Sequence, residues 1–192
     1  MSNRQAELRR HARRARKSFG TENAANASAA IARSVIKLPA FESAKTVASY
    51  LAMPGEVDTN EIIECAWLRK KRVFLPVTGK DNSMIFREHT PSTALVRSNL
   101  GIEEPVNGAA IETNEIDFVV VPLVAFDKDA NRIGMGGGYY DRAFSFLQKA
   151  DAGKDSLLVG VAFDCQMVEK IAPNPWDIPL SCIVTESSVL FR

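Results

Sequence analysis

Histidine and cysteine are scarce in this chain, and their scarcity narrows its chemistry. The two histidines, His11 and His89, lie far apart and have no partner at metal-ligand spacing. A zinc centre or a histidine-based triad therefore has little support. The three cysteines, Cys65, Cys165 and Cys182, form neither a Cys-x-x-Cys pair nor an even set. They are expected to be reduced and buried, as in a cytoplasmic protein. No apolar run approaches the length of a membrane span, and the N-terminus has no apolar signal core. Net charge is nearly absent as well, +1 over 192 residues, so no global field argues for nucleic acid or membrane. No repeat or long linker divides the sequence. With 46 % hydrophobic residues, residues 1–192 are expected to form a single domain with a sizeable core.

Charge is concentrated where the chain begins: the first 17 residues hold seven Arg or Lys against one Glu. Residues 4–17 are rich in Ala and Arg and predict a helix with Arg9, Arg13 and Arg16 on one face. A solvated basic face, a transit peptide and a nucleic-acid patch all fit that pattern. Gly20 breaks the helix, and Thr21 as N-cap opens a second one that runs to Lys37 and is stopped by Pro39. Residues 45–51, 71–76, 83–88, 116–126, 156–163 and 181–185 then read as strands. Helices are expected from Asp58 or Thr59 as cap to Lys70, and from Tyr139 to Ala150. Buried strands interleaved with helices predict an α/β fold, Rossmann-like, with three layers and a mostly parallel central sheet.

Between the most apolar strand and the helix at Tyr139 lies Asn131-Arg-Ile-Gly-Met-Gly-Gly-Gly-Tyr-Tyr-Asp-Arg142. Glycines there let the backbone approach an oxyanion, and the first N–H groups of a helix lack internal partners. Arg132 and Arg142 flank the loop, and Asp141 offers a hard oxygen to Mg²⁺. Phosphate binding is one reading and a tightly packed turn is the other. The loop is not a P-loop, because no Gly-Lys-Ser/Thr follows the first glycine. Nor is it the dinucleotide fingerprint, because Tyr139 stands where the third glycine belongs. Ligands of open α/β sheets sit beyond the carboxyl ends of the strands, which puts Glu56, just after the first strand, on the expected active face.

Arg132-x-Gly-x-Gly-x-Gly-Tyr-Tyr-Asp141 resembles the signature of the 5-formyltetrahydrofolate cyclo-ligase family. The resemblance extends over nearly the whole chain. It takes in Leu8-Arg9 with Arg13 and Arg16, Met53-Pro-Gly-Glu-Val-Asp-Thr59, Gly101-Ile-Glu-Glu-Pro105, Val159-Gly-Val-Ala-Phe-Asp164 and Pro175-Trp-Asp-Ile-Pro179. It implies ATP- and Mg²⁺-dependent closure of 5-formyltetrahydrofolate to 5,10-methenyltetrahydrofolate, with ADP and phosphate released. It further implies that ATP is met by Arg9, Arg13, Arg132, Gly134, Met135, Gly136, Gly137, Gly138, Tyr139 and Tyr140. Gln5 stands where the family has a lysine, with Arg4 beside it as a substitute. Neither Met135 nor Gly137 is basic, as the family often has there. Asp141 and Asp177 are implied as Mg²⁺ ligands, and Glu56, Arg132 and Tyr140 as catalytic. Tyr50, Met53, Glu56, Leu100, Glu104 and Tyr140 form the implied folate side, with Leu100 in an aromatic's place. The expected form is a cytoplasmic monomer acting on small molecules, with no nucleic-acid or membrane partner. On the residues alone, two other classes stay open: a nucleotide- or RNA-binding module, and a sugar- or acyl-processing enzyme on a related fold.

Overall fold

The computed structural model describes residues 3–148 and 156–192. Three helices come first: α1 (Asn3–Phe19), α2 (Thr21–Val35) and the short α3 (Pro39–Ser43). A crossover follows, built from β1 (Thr46–Ala48), α4 (Asn60–Leu68) and β2 (Arg72–Thr78). Next are β3 (Met84–Glu88), the hairpin of β4 (Leu95–Arg97) and β5 (Glu103–Pro105), and β6 (Ala110–Ile111). β7 (Phe118–Pro122) leads into a small hairpin of β8 (Ala125–Phe126) and β9 (Arg132–Ile133), then α5 (Tyr139–Ala143). β10 (Leu157–Val161), β11 (Cys182–Val184) and β12 (Val189–Phe191) end the fold.

Among the described residues, eight strands form the main sheet in the order β12-β11-β10-β7-β1-β2-β3-β6. The five central strands, β11, β10, β7, β1 and β2, are parallel, and β12, β3 and β6 extend the two edges antiparallel. The α/β class with a mostly parallel sheet is therefore as expected. Alternation along β7 explains the layers, because successive strand side chains point to opposite faces. Phe118 and Val120 join Ile31, Val35, Phe41, Ile62 and Ile63 under α2, α3 and α4. Val119 and Val121 join Phe74, Phe86, Leu158 and Phe144 on the other face. Each such fully buried side chain contributes roughly 1.5–3 kcal/mol relative to exposure. A third cluster ties α1 to the β8–β9 hairpin through Ala12, Val124, Ala125, Ile133, Val168 and Ile171.

Several elements differ from the sequence reading, each for a local reason. Gly20, at φ 83°, is the N-cap of α2, and Thr21 is its first helical residue. The expected helix to Lys37 ends at Val35 instead, with Ile36 as its C-cap, and Pro39 starts α3, where its missing N–H costs nothing. The expected strand over 116–126 is divided. β7 stops at Pro122, and Val124 N–H then bonds the Ile133 carbonyl at 2.8 Å. Thr59 is the N-cap of α4, but its hydroxyl donates to the Tyr50 carbonyl instead of capping, while Asp58 accepts from Asn60 N–H at 2.9 Å. α5 spans only Tyr139–Ala143, followed by a 3₁₀ turn over Ser145–Gln148; the rest of the expected helix, to Ala150, lies outside the described residues. The dipole argument for anion binding therefore loses weight at so short a helix. Among the described residues, no helix is long and apolar enough to cross a membrane.

Candidate active site

A cavity of about 580 Å³ opens beyond the carboxyl ends of β1, β2 and β7, where Tyr50, Leu51, Pro76, Thr78 and Pro122 reach its wall. The Gly-rich stretch Gly134–Gly138 lines one side, with Arg132, Tyr139, Tyr140 and Asp141. Glu56 and Met53 line the same cavity, joined by Leu100 from the β4–β5 hairpin and by Asn174, Trp176 and Asp177. Segments more than 100 residues apart thus share one space.

The Glu56 side is built on a tight turn. Met53-Pro-Gly-Glu56 closes with the Glu56 N–H donating to the Met53 carbonyl at 2.9 Å, and Gly55 sits at φ 84°. Pro second and a left-handed Gly third is the composition a type II turn requires. The Glu56 side chain locks the turn again, its Oε2 accepting from Met53 N–H at 3.0 Å. Burial pushes the Glu56 carboxyl above its usual range, against the Met53 hydrogen bond and the positive charge of Arg16. Tyr50 donates its hydroxyl to the Val57 carbonyl at 3.0 Å. Burial, with the Glu56 charge nearby, raises the phenols of both Tyr50 and Tyr140. Glu56 therefore shares a secluded corner with two neutral phenols.

The loop side is differently made. Gly136 and Gly138 take φ 108° and 67°, which side-chain-bearing residues rarely adopt. Arg142 fastens the loop by donating to the Gly137 carbonyl and, at 3.0 Å, to that of Asn82. Arg9 on α1 donates Nε–H to the Gly134 carbonyl at 2.8 Å. Burial and Arg13 lower the Arg9 pKa, while Asp177 acts the other way. The Arg132 guanidinium donates to Asp141 Oδ1 at 2.5 Å and to the Ile178 carbonyl. Ile178 N–H in turn donates to Asp141 Oδ1 at 3.1 Å, so the residue after Asp177 is pinned to Asp141. Asp177 accepts from Asn174 N–H at 2.7 Å.

Three of the expected site residues are not brought to the cavity wall. Arg4 and Arg13 are exposed on α1 and do not line it. The inward face of α1 is instead Gln5, Arg9, Ala12 and Arg16, spaced at the 3.6-residue helical period, and Arg13 stands about 100° away from Ala12. Glu104 is buried and holds β5 to the end of β2, its Oε1 accepting from Thr78 N–H at 3.1 Å and Oγ1–H at 2.6 Å. Thr78, not Glu104, lines the cavity. Sequence reading also passed over Gln5, Asn82, Met84, Ile102 and Asn174 as wall residues. For Gln5 the signal was present, four residues before Arg9 and so on its face. For the others, in loops or, as with Met84, at the start of a strand, there was none.

The wall has hard oxygen donors in Asp141 and Asp177, and among the described residues no three acidic or metal-ligating side chains form a ready cage. Two carboxylates suit an octahedral ion that keeps waters and takes phosphate oxygens from its substrate. An α/β sheet with a Gly-rich loop, paired carboxylates and a secluded glutamate around one cavity defines a small-molecule enzyme.

Comparison with known proteins specifies the class. A family model described as the 5-formyltetrahydrofolate cyclo-ligase family matches residues 1–186. The 5-formyltetrahydrofolate cyclo-ligase of Escherichia coli (strain K12) is 40% identical over 155 residues, which cover 79% of this chain and 83% of that protein. The enzyme of the same name from Haemophilus influenzae is 38% identical over 141 residues, 71% of this chain and 73% of its own. Among solved structures, the 5,10-methenyltetrahydrofolate synthetase of Aquifex aeolicus superposes with a TM-score of 0.82 at 33% identity, covering 97% of this chain and 92% of that one. The chain belongs to the 5-formyltetrahydrofolate cyclo-ligase family and is an enzyme of that family.

Proposed function

We propose that this enzyme closes 5-formyltetrahydrofolate to 5,10-methenyltetrahydrofolate, using ATP and Mg²⁺ and releasing ADP and phosphate. The observation that carries this reading is the single cavity joining the Glu56 turn to the Gly134–Asp141 loop. A formyl oxygen is a poor leaving group until it is phosphorylated. Once it is, N10 of the folate attacks the formyl carbon and phosphate departs. No side-chain nucleophile is needed, which agrees with the absence of a triad. Catalysis then rests on positioning and on charge stabilisation.

In this scheme Arg9 and the glycine backbone hold the nucleotide phosphates, with Gln5 beside them at the helix start. Arg132 orients Asp141, and Asp141 and Asp177 would hold Mg²⁺, which supplies charge neutralisation on the phosphates. Glu56 receives the pteridine nitrogens or the formyl group and balances positive charge that develops there. Tyr140, its phenol kept protonated by burial, offers a hydrogen-bond donor between the two halves. Met53, Tyr50 and Leu100 supply the apolar wall on the folate side. The working unit is taken to be one chain, because every one of these groups comes from it. A reducing, cytoplasmic setting is proposed from the three free cysteines.

The test mixes the purified enzyme with 5-formyltetrahydrofolate, ATP and Mg²⁺ and follows the near-ultraviolet absorbance of the methenyl product. The expected result is a rise that depends on ATP and disappears when Mg²⁺ is chelated. A flat trace from folded, ATP-binding protein would overturn the folate assignment and leave the nucleotide one.

A further inference from the structure

Arg16 has a place in the fold that the scheme above does not use. It lies two turns after Arg9 on the inward face of α1 and is half-buried, yet it does not reach the cavity wall. Its Nε stands 3.6 Å from where a Cβ on Gly55 would lie, so the side chain crosses the back of the Met53–Glu56 turn. At the other end of the same face, Arg9 grips the Gly134 carbonyl. Between them Ala12 is buried against the β8–β9 hairpin region. One helix thus contacts both the loop and the turn.

We propose that Arg16 is a positioning residue for Glu56: lying against Gly55 from α1, it sets its cation beside the turn that presents the Glu56 carboxylate to the cavity. The inference rests on the reading of Glu56 as the folate-side carboxylate. The groups facing Glu56 are few. Arg16 faces it from α1, the Tyr50 phenol from the end of β1, and the Tyr140 phenol from α5. Asp58 acts on Tyr50, and Arg132 acts on Tyr140, one shell further out. Among the described residues Arg16 is the one cation acting directly on Glu56, and its charge opposes the effect of burial. Arg16 also acts on Cys165, in the short turn at 164–166 that α1 packs upon.

The experiment titrates the Glu56 carboxyl by carbon NMR in the intact protein without ligands, and measures kcat/KM against pH in parallel. Arg16→Met keeps an apolar stem over Gly55 and removes the charge; Arg16→Gln is a second neutral variant, and Arg16→Lys restores the cation. Both neutral variants are expected to titrate Glu56 at higher pH than wild type. They should also move the acid limb of kcat/KM to higher pH in step with the titration, since less of Glu56 is ionised at a given acid pH. Arg16→Lys is expected to return both readouts towards wild type. If any folded neutral variant leaves the Glu56 titration unmoved, the proposal is overturned. If Arg16→Met and Arg16→Gln do not fold, Arg16→Lys carries the test: a Glu56 titration that moves to higher pH in this variant, although the cation is retained, overturns the proposal as well. A shifted Glu56 titration in protein that never cyclises 5-formyltetrahydrofolate would sink the functional reading and leave Arg16's hold on Glu56 standing.

Discussion

Asp141 and Glu56 are carboxylates on the walls of one cavity, and the fold treats them in opposite ways. Asp141 is paired with a guanidinium whose side chain is only 7% exposed, and it also accepts a backbone N–H. Glu56 accepts one backbone N–H and, among the described residues, has Arg16 as its single nearby cation, so burial dominates and raises its pKa. A carboxylate held through one oxygen, Oδ1, by a buried guanidinium and a backbone N–H is part of the framework and is dangerous to remove. A carboxylate kept short of partners weakens the framework and is available to a ligand. Where strain and missing partners coincide with a cavity, function is the usual reason.

The sharpest way to break the contrast is Asp141→Ala. It leaves Arg132 buried without its counter-charge, and the expected loss is about 3 kcal/mol, seen in urea denaturation. The double variant Arg132→Met with Asp141→Leu should recover much of that stability and none of the activity. If the single variant denatures like wild type, the pair is not part of the framework. Glu56→Gln should behave in the opposite sense, losing roughly a hundredfold in kcat while raising Tm at neutral pH. The sign follows from linkage. The folded pKa lies above the unfolded one, so the unfolded chain ionises first as pH rises, and stability falls across that interval. The thermal gain of Glu56→Gln should therefore vanish as the pH falls below the ordinary glutamate value of about 4, where both states hold the proton. A gain that persists unchanged at acid pH would mean that charge is not its cause. The smallest effect is expected from Gly55→Ala. A Cβ there meets only ordinary contact with Arg16, so the cost is that of a left-handed backbone, about 1 kcal/mol in a denaturation curve.

The parallel centre of the sheet was legible because its strands are runs of Val, Leu, Ile and Phe bounded by turn residues. The edges were not. β4 reads Leu-Val-Arg with all three residues exposed, β6 has two residues, and neither length nor alternation marks them. β12 is three residues following the expected last strand, and its pairing with β11 depends on a turn rather than on burial. For the site, Glu56, the glycines, Arg132, Asp141 and Asp177 were readable because turn chemistry and motif spacing are local. Glu104 went wrong because the same segment that brings Leu100 to the wall turns Glu104 inward to Thr78. Arg13 went wrong through helical phase: four-residue steps from Arg9 drift off the buried stripe, which passes through Ala12 to Arg16. Asn174 and Asn82 reach the wall from irregular loops, where no periodicity exists to follow.

The bond from Arg9 to Gly134 spans 125 residues of sequence. The apolar partners of Ala12 are equally distant, between Val124 and Ile171. During synthesis, α1 leaves the ribosome before the other described elements and meets its binding surface only after most of them have appeared. Contacts of such separation carry the largest loop-closure cost and form late. The sheet can assemble without them, but the cavity cannot be closed on the side of the first helix. Catalytic competence is thus expected to be the final event of folding, and a truncated or stalled chain would hold much of the architecture while lacking the site.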